Sequence, residues 1–470
     1  MAARERTRDT TPQPSVLLRA ARLLDVDKGE IVEPGQVLVV GEHIAEVQPA
    51  RLPEGTVVRD LGDVTLLPGL MDMEVNLFLG GPDHRSPLIP VQEDPAVRTL
   101  RAAANARRTL QRGYTTVRNL GLFVQTGGVL LDVALKKAID LGWVEGPRVV
   151  PAGHAIAPTG GHLDPTMFQA FAPGVLPLTV EEGIANGVAE VRKAVRHQIK
   201  YGARVIKVCA SNGVMSHTGP AGAQQYSDEE LRAIVDEAHR AGLKVAAHCM
   251  GDTAIRAALD AGIDCIEHGF LASDATLDLM VERGTFLVAT TSLTEGMDTA
   301  HADPALQAKA AEVFPRARES TARAIRRGVK VALGTDAPAI PHGKGVMELL
   351  ALADRGMRPI DALRAATTVA AELIDADDRG RIAPGLLADI ITVPGDPLTD
   401  LSVAGRVCFV MKGGRVYRDD TAGCRPADVT GKRRETAVSR PRVDELATTR
   451  EAEKATCSGG DCPTKGLRKR

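Results

Sequence analysis

The sequence has no excess of charge of either sign and no long hydrophobic run. Its 58 lysines and arginines nearly balance its 60 aspartates and glutamates, so the formal net charge is −2 over 470 residues. A nucleic-acid-binding protein, or one held electrostatically on an acidic membrane, would carry a basic excess. Runs of about 18 apolar residues, which a membrane-spanning helix needs, do not occur. We therefore expect a small molecule or a peptide as partner, with no nucleic acid and no membrane, and we leave a homo-oligomer open.

Cysteine is scarce, and no secretory signal is evident. Seven cysteines are too few to hold a chain of this length together by disulfides. Cys209, Cys249 and Cys265 lie within apolar strand-like runs, where reduced cysteine behaves as a small hydrophobic residue, so we expect them in the core. The N-terminal sequence MAARERTRDTTPQPS lacks the apolar segment of a signal peptide, which predicts a cytoplasmic protein.

Both ends of the chain are poor in large apolar side chains. Residues 1–14 predict a disordered arm, and residues 421–470, which are rich in Lys, Arg, Glu and Thr, predict a disordered tail. The tail contains Cys457 and Cys462 in the sequence CSGGDC. This pair could form a transient disulfide or bind a metal, but two exposed thiols are the simpler interpretation.

Short β-like runs separated by turn residues occur in two places. Residues 15–67 contain VLLRAARLL, GQVLVVG and HIAEVQ, and residues 377–420 contain ADIITVPGD, RVCFVMKGG and RVYRD. We expect these two segments to pair into one small composite β-sandwich domain.

The intervening residues 68–376 have a different pattern. A helix that ends in glycine, followed by a buried strand and a polar loop, recurs along this segment, as in DEELRAIVDEAHRAG followed by LKVAAHCMG. This alternation predicts an α/β fold with a parallel sheet covered by helices. Because no Gly-x-Gly-x-x-Gly turn follows an early strand, a closed (β/α)₈ TIM barrel fits better than an open doubly wound sheet.

In such a barrel the active site lies at the carboxyl ends of the strands, so polar residues that close an apolar strand are informative. They are Glu74 and Asn76 in LLPGLMDMEVNL, Lys207 in RVIKVCA, His248 in KVAAHCM, His268 in DCIEHG and Asp336 in KVALGTDAP. His248 and His268 close strands about one βα unit apart, which places two imidazoles side by side. We expect them to be metal ligands.

Lys207 and Asp336 each have two interpretations. Lys207 lies in a strand where an unpaired ammonium would be costly to bury. Carboxylation by CO₂ would turn it into an anionic oxygen ligand, whereas pairing with a nearby carboxylate would satisfy it without a metal. Asp336 could take a proton from a metal-bound water and pass it to a leaving amine, or it could cap the following helix.

The chain resembles the amidohydrolase superfamily, in particular its imidazolonepropionase-like and prolidase-like branch, over about residues 15 to 420. The segments that carry the likeness are LLPGLMDMEVNL, GPRVVPAGHAIAPTGGH, YGARVIKVCASNGV, QQYSDEEL, KVAAHCM, IEHG, LGTDAP and GRIAPGLLADIITV. The resemblance implies that Lys207 is a carboxylated bridging ligand, that His248 and His268 bind the second metal, and that Asp336 is the catalytic proton shuttle.

One motif departs from this family. The family carries His-x-His after the sequence PGLID, whereas Glu74 and Asn76 occupy the matching positions here. The pair could hold a weaker first metal, could hydrogen-bond substrate or water while one metal works alone, or could mark a decayed enzyme. We favour one divalent metal per chain, with Zn²⁺ as the first choice and two metals as the alternative, because certain sugar deacetylases of the superfamily also replace these histidines and remain active. With one metal, Lys207 no longer has to bridge.

Candidate substrate-binding residues come from the resemblance. By the same resemblance, His154, His162 and Tyr226 lie in loops that border the pocket and could bind a carbonyl oxygen or a carboxylate. As an alternative, the two loop histidines would simply face solvent.

Taken together, the residues and the resemblance predict a metal-dependent hydrolase of an amide or peptide bond. Dipeptides, or a peptide tailored in a natural-product pathway, are the expected substrates. One such reaction would be the removal of a follower peptide, which the bottromycin-type amidohydrolase carries out. Hydrolysis of a lactone, ester or cyclic amide would use the same residues. A non-catalytic peptide-binding barrel is the alternative from another class, although four polar groups kept at strand ends argue against it.

Overall fold

The computed structural model describes residues 14–80, 92–166, 172, 174–176, 178–216, 219–299 and 304–424. Most of the predicted N-terminal arm lies outside the described residues. So does the predicted tail beyond residue 424, with Cys457 and Cys462. The described residues all fall within one compact unit, Met1–Pro426.

Two sheets form a β-sandwich from both ends of the described chain. The first sheet has the order β5-β4-β1-β6, with β1 Ser15–Ala20, β4 Gly35–Val40, β5 His43–Val47 and β6 Val57–Asp60. The second has the order β18-β17-β16-β7-β2-β3, with β2 Arg22–Asp25, β3 Glu30–Val32, β7 Val64–Pro68, β16 Ile390–Pro394, β17 Phe409–Lys412 and β18 Arg415–Asp419. Because β7 pairs antiparallel with β16, the N-terminal and C-terminal segments share one sheet.

The sandwich is held by apolar residues from both sheets. Leu18 and Val37 of the first sheet and Leu66, Ile390 and Phe409 of the second are fully buried in one cluster. Their burial removes apolar surface from water, which stabilises the packing of the two sheets. The predicted composite β-sandwich is therefore present, while its exact bounds at residues 67 and 376 stay a prediction.

The cysteines divide into a disulfide and buried thiols. Cys209, Cys249 and Cys265 are free and buried, which confirms their predicted place in the core. Cys408 and Cys424 form a disulfide, with their Cα atoms 6.0 Å apart. The sequence did not predict this bond, because Cys424 falls within the segment interpreted as a disordered tail.

Eight parallel strands form the barrel. They are β8 Leu70–Val75, β9 Tyr114–Asn119, β10 Arg148–Pro151, β11 Ile206–Cys209, β12 Val245–Gly251, β13 Cys265–Leu271, β14 Phe286–Val288 and β15 Lys330–Val331. Strands β8 to β10 form one parallel sheet, and strands β11 to β15 form another.

Backbone hydrogen bonds join these two sheets at both of their edges. On one side, the Ile156 N–H donates to the Lys207 carbonyl at 2.8 Å, just after β10. On the other, the Met73 N–H donates to the Leu333 carbonyl at 2.8 Å, and a parallel bridge joins Val75 to Ala337. The strands thus close on themselves, which confirms the predicted α/β fold with a (β/α)₈ barrel.

Helices connect the strands along the outside of the barrel. They are α1 Pro95–Gln111, α2 Leu131–Asp140, α3 Gly187–Tyr201, α4 Asp228–Arg240, α5 Asp252–Ala261, α6 Asp274–Arg283, α7 Leu293–Gly296, α8 Pro304–Arg327, α9 Val346–Asp354, α10 Pro359–Ala365 and α11 Thr368–Leu373. Short 3₁₀ turns lie at Val180–Glu182, Leu401–Gly405 and Thr421–Gly423.

Local sequence signals explain where these helices begin and end. Helix α4 begins with a capping box, in which Ser227 and Glu230 each satisfy a backbone N–H of the other. Helices α3, α5 and α6 end at Gly202, Gly262 and Gly284, each in the left-handed conformation that glycine adopts without strain. Among the described residues, no helix combines the length and the apolar character needed to cross a membrane.

Candidate active site

The barrel brings polar side chains from separate strands together at its carboxyl mouth. Glu74 lies near the end of β8, Lys207 in β11, His248 in β12 and His268 in β13. Asp336 follows β15 and donates its backbone N–H to the carbonyl of Glu74 at 2.8 Å. The sequence predicted all five as site residues. It also predicted Asn76 and the loop residues His154, His162 and Tyr226.

Lys207 and Glu74 form a buried ion pair. The distance from Lys207 Nζ to Glu74 Oε1 is 3.1 Å, and the two side chains are only 2% and 6% exposed. Burial alone would raise the pKa of Glu74, but the charge of Lys207 and its hydrogen bond hold that pKa below its usual value. The pKa of Lys207 is raised because the nearby carboxylates outweigh its burial. The structure thus has Lys207 paired with a carboxylate, the arrangement considered above as the alternative to carboxylation.

The imidazole of His268 has a defined orientation and tautomer. Its Nδ1 lies 2.8 Å from Thr290 Oγ1, whose own hydroxyl donates to the carbonyl of Ala289. Because that hydroxyl proton is already engaged, Thr290 accepts, and His268 carries its ring proton on Nδ1. Its Nε2 is then a bare lone pair that faces Glu74 Oε1 at 3.7 Å. Burial lowers the pKa of His268 to about 4, so the ring is neutral near pH 7.

His248 and His162 lie next to this pair. The ring of His248 is stacked on that of His162, with centroids 3.9 Å apart, and lies edge-on to His268 at 4.6 Å. Burial lowers the pKa of His248 well below its usual value, and that of His162 to about 3. The Nδ1 of His162 lies 2.9 Å from Ser216 Oγ, while His248 Nε2 is buried without a hydrogen-bond partner.

The backbone at this mouth has an unusual conformation. His268, Thr290 and Asp336 have φ values of 72°, 46° and 55°, in the left-handed region that non-glycine residues rarely occupy. Such conformations cost free energy and tend to occur where function requires a side chain in one direction. Here they aim the side chains that border the Lys207–Glu74 pair.

The donor atoms at the mouth fit a single divalent metal. Among the described residues, His248 Nε2 and Glu74 Oε2 are buried without a hydrogen-bond partner, and His268 Nε2 faces Glu74 Oε1 at 3.7 Å. Two imidazole nitrogens and a carboxylate oxygen are a ligand set that Zn²⁺ accepts. Within the described ranges, however, no three His, Cys, Asp or Glu side chains already stand in a complete metal-binding arrangement. The atoms that could bind a metal are present, and Lys207 Nζ is hydrogen-bonded to one oxygen of the Glu74 carboxylate.

Asn76 makes contacts of a different kind. Its Nδ2 donates to the carbonyl of Gly121 at 2.9 Å, and its Oδ1 accepts the N–H of Phe78 at 3.2 Å. Both ends of the amide therefore bind backbone. Of the Glu74 and Asn76 pair, Glu74 is the residue with an unpartnered oxygen to offer.

Asp336 does not cap the helix that follows it, and its role as proton shuttle stays a prediction. Burial and the charge of Glu74 raise the pKa of Asp336 well above its usual value. The next helix, α9, begins only at Val346, and the N–H of Ala339 binds the backbone carbonyl of Asp336. The side chain therefore does not cap a helix.

A buried pair beneath the site escaped the sequence analysis. Arg118 Nη2 lies 2.9 Å from Glu267 Oε1, and Arg118 Nε donates to the carbonyl of Met73 at 2.7 Å. Cys265 Sγ also lies 2.9 Å from Glu267 Oε1, and burial raises the pKa of Glu267 to about 7. The available signal was two charged residues inside the apolar runs YTTVRN and CIEHG, since a buried charge requires a partner.

Two predicted substrate contacts have other partners. His154 Nε2 lies 2.8 Å from Thr126 Oγ1, and the hydroxyl of Tyr226 donates to the carbonyl of Ala185 at 3.0 Å. Both side chains are buried, so His154 does not face solvent. Of the three, His162 is the one that the structure stacks on the ring of His248. Substrate contacts by the other two stay predictions.

A cavity of about 540 Å³ lies elsewhere, between α1 and the end of the sandwich sheet. The residues that line it are Arg108, Gln111, Arg112, Tyr417, Arg418, Asp419 and Asp420. It contains none of the predicted site residues.

Comparison with known proteins agrees with this geometry. The sequence model of the amidohydrolase family matches residues 65–417. Ochratoxinase of Aspergillus niger is 36% identical over 380 residues, which are 76% of each chain. The crystal structure of A. niger ochratoxinase has a TM-score of 0.75 at 32% identity and covers 87% of this chain and 96% of that one.

Two further relatives represent the branches named from sequence. The crystal structure of a Xaa-Pro dipeptidase with bound methionine has a TM-score of 0.79 at 33% identity, over 86% of this chain and 100% of that one. Imidazolonepropionase of Cutibacterium acnes is 26% identical over 407 residues, 82% of this chain and 90% of its own. The matched family generally depends on divalent metals. The chain therefore belongs to the amidohydrolase family, and it is a hydrolase that acts on amide bonds.

Proposed function

We propose that this enzyme hydrolyses the amide bond of a dipeptide or a longer peptide at one divalent metal, most simply Zn²⁺. The observation that carries the proposal is the convergence of His248, His268, Glu74 and Lys207 at the barrel mouth, with buried lone pairs on His248 and Glu74 that lack a proton donor. His248, His268 and an anionic oxygen from the Lys207–Glu74 pair would hold the ion. The name of the Xaa-Pro dipeptidase relative supports a peptide substrate.

The residues around the ion have separate tasks in this proposal. A bound divalent metal acidifies water and polarises the carbonyl of an amide. Asp336 accepts the proton of the attacking water and delivers it to the departing amine nitrogen. His162, neutral and hydrogen-bonded to Ser216 through Nδ1, donates its Nε2–H to an oxygen of the substrate.

A substrate screen tests the reaction. The full-length protein, loaded with Zn²⁺, Co²⁺ or Mn²⁺, is incubated with Xaa-Pro and other dipeptides, with ochratoxin and with longer peptides that carry C-terminal follower sequences. Mass spectrometry detects the new amine and carboxylate. We expect cleavage of at least one peptide class. Cleavage confined to lactones, esters or cyclic amides would replace the peptide proposal, and no cleavage with any metal would reject it.

A pair of variants tests the proton transfer. Asp336→Asn keeps the shape of the side chain but cannot accept the proton, so turnover should fall about 10²- to 10⁴-fold while the metal stays bound. Asp354→Asn is the matched control, because this aspartate side chain is 79% exposed and pairs with Arg355 at 2.6 Å. Full turnover in Asp336→Asn with metal bound would remove Asp336 from the mechanism.

A further inference from the structure

The ion pair between Lys207 and Glu74 bears on which residue supplies the anionic oxygen at the metal. The family resemblance implies a carboxylated lysine at position 207. In the structure, Lys207 Nζ instead donates to Glu74 Oε1 at 3.1 Å in a nearly water-free site. By the same resemblance, Glu74 occupies the position of a histidine of the family.

We propose that Lys207 stays uncarboxylated in the working enzyme, and that Glu74 provides the anionic oxygen ligand while Lys207 positions it. This inference rests on the proposed single-metal function. In it, Lys207 is a positioning residue that touches the ligand rather than the metal.

The surrounding charges support this assignment. Among the buried carboxylates close by, Glu267 is paired with Arg118 at 2.9 Å, and Glu74 is the one that Lys207 Nζ contacts, at 3.1 Å. Carboxylation would form a bond between Nζ and the carbon of CO₂ and release two protons from the Lys207 ammonium, giving an anionic carbamate. That change would set two negative groups against each other where a donor and an acceptor now meet.

The carboxylate of Glu74 also lies next to one of the two histidines, His268. Glu74 Oε1 lies between Lys207 Nζ, at 3.1 Å, and His268 Nε2, at 3.7 Å. Glu74 Oε2 is buried without a partner, as is His248 Nε2. When the lysine binds one oxygen of the carboxylate, the other oxygen is free to bind a metal. Hydrogen-bond partners of metal-binding carboxylates commonly orient them in this way.

Substitutions at position 207 separate the two chemistries. Arginine can pair with Glu74 but cannot be carboxylated, whereas methionine can do neither. Metal-stripped full-length protein and its variants are titrated with Zn²⁺ by equilibrium dialysis, and bound metal is measured by mass spectrometry. We expect Lys207→Arg to retain zinc affinity within about threefold, and Lys207→Met and Glu74→Gln each to lose about 10- to 100-fold. Loss in Lys207→Arg equal to that in Lys207→Met, with both variants folded by circular dichroism, would overturn the proposal.

A spectroscopic measurement on the unmodified protein does not depend on how arginine packs. The zinc-loaded protein is equilibrated with ¹³C-labelled bicarbonate, and its ¹³C spectrum is compared with that of Lys207→Met. We expect the spectrum of the unmodified protein to contain no carbamate signal that is missing from the spectrum of Lys207→Met. Such a signal, with zinc bound, would overturn this inference alone and leave the proposed function standing. Failure of the unmodified protein to bind Zn²⁺ would overturn both.

Discussion

Replacement of Arg118 by methionine tests how the buried negative charge of Glu267 is stabilised. Arg118 and Glu267 are 2% and 0% exposed, and their closest atoms are 2.9 Å apart. Arg118 also satisfies the backbone carbonyl of Met73. Methionine fills much of the same space but has no donor. The variant therefore leaves a buried carboxylate and a buried carbonyl oxygen without their partner.

The expected loss is large for a single substitution. Removal of one partner of a buried ion pair costs about 3–5 kcal/mol. At about 2.1 cal/mol/K per residue, the 470 residues correspond to an unfolding entropy of about 1 kcal/mol/K. The midpoint of thermal unfolding should therefore fall by about 3–5 °C.

Circular dichroism melts of three variants provide the measurement. Arg19→Met is the matched control, because Arg19 pairs with Asp60 at 2.6 Å but the two side chains are 50% and 56% exposed. Its loss should stay below about 1 kcal/mol, or about 1 °C. The double variant of Arg118→Met with Glu267→Met should recover part of the loss, since no unpaired carboxylate remains. Equal melting of Arg118→Met and Arg19→Met would refute the reasoning.

Two further predictions concern pH and metal binding. Burial raises the pKa of Asp132 from its ordinary 3.8 to about 6, so the folded state binds this proton more tightly than the unfolded state. The stability that this proton contributes is complete below about pH 4 and is lost as the pH rises through 6, so the advantage of the parent over Asp132→Asn in chemical denaturation should shrink by up to about 3 kcal/mol between pH 4 and 7. A difference that does not vary with pH would contradict this. Thr290→Val keeps the side-chain shape but removes the oxygen that holds His268 Nδ1, so zinc affinity in equilibrium dialysis should fall about 10- to 100-fold. Unchanged affinity would show that the hydroxyl does not set the tautomer of His268.

The elements of the fold were predictable because their signals are local. Helices that end in glycine, such as α3 at Gly202 and α5 at Gly262, are followed by apolar strands, and this repeat predicted the barrel. The β-like runs at both ends predicted the shared sheet of β7 and β16. Strand-end residues such as His248 and His268 were identified because a barrel gathers the ends of its strands at one mouth.

The partners of the site residues were less predictable. Lys207 and Glu74 are 133 positions apart, and Arg118 and Glu267 are 149 positions apart. The sequence raised a carboxylate partner for Lys207 as one alternative but could not identify which carboxylate it would be. The contacts of Tyr226 with a backbone carbonyl and of Asn76 with two backbone groups likewise depend on neighbours remote in sequence.

The sequence by itself determined the alternation of helices and strands, the composite sandwich and the polar residues that close the barrel strands, because backbone propensity and hydrophobic periodicity act over a few residues. Only the tertiary structure decided that Glu74 lies between Lys207 and His268, and that Asn76 binds backbone. These contacts depend on how closure of the barrel aligns β8 with β11 and β13, and a difference of one residue in that alignment would turn each side chain to the opposite face of its strand.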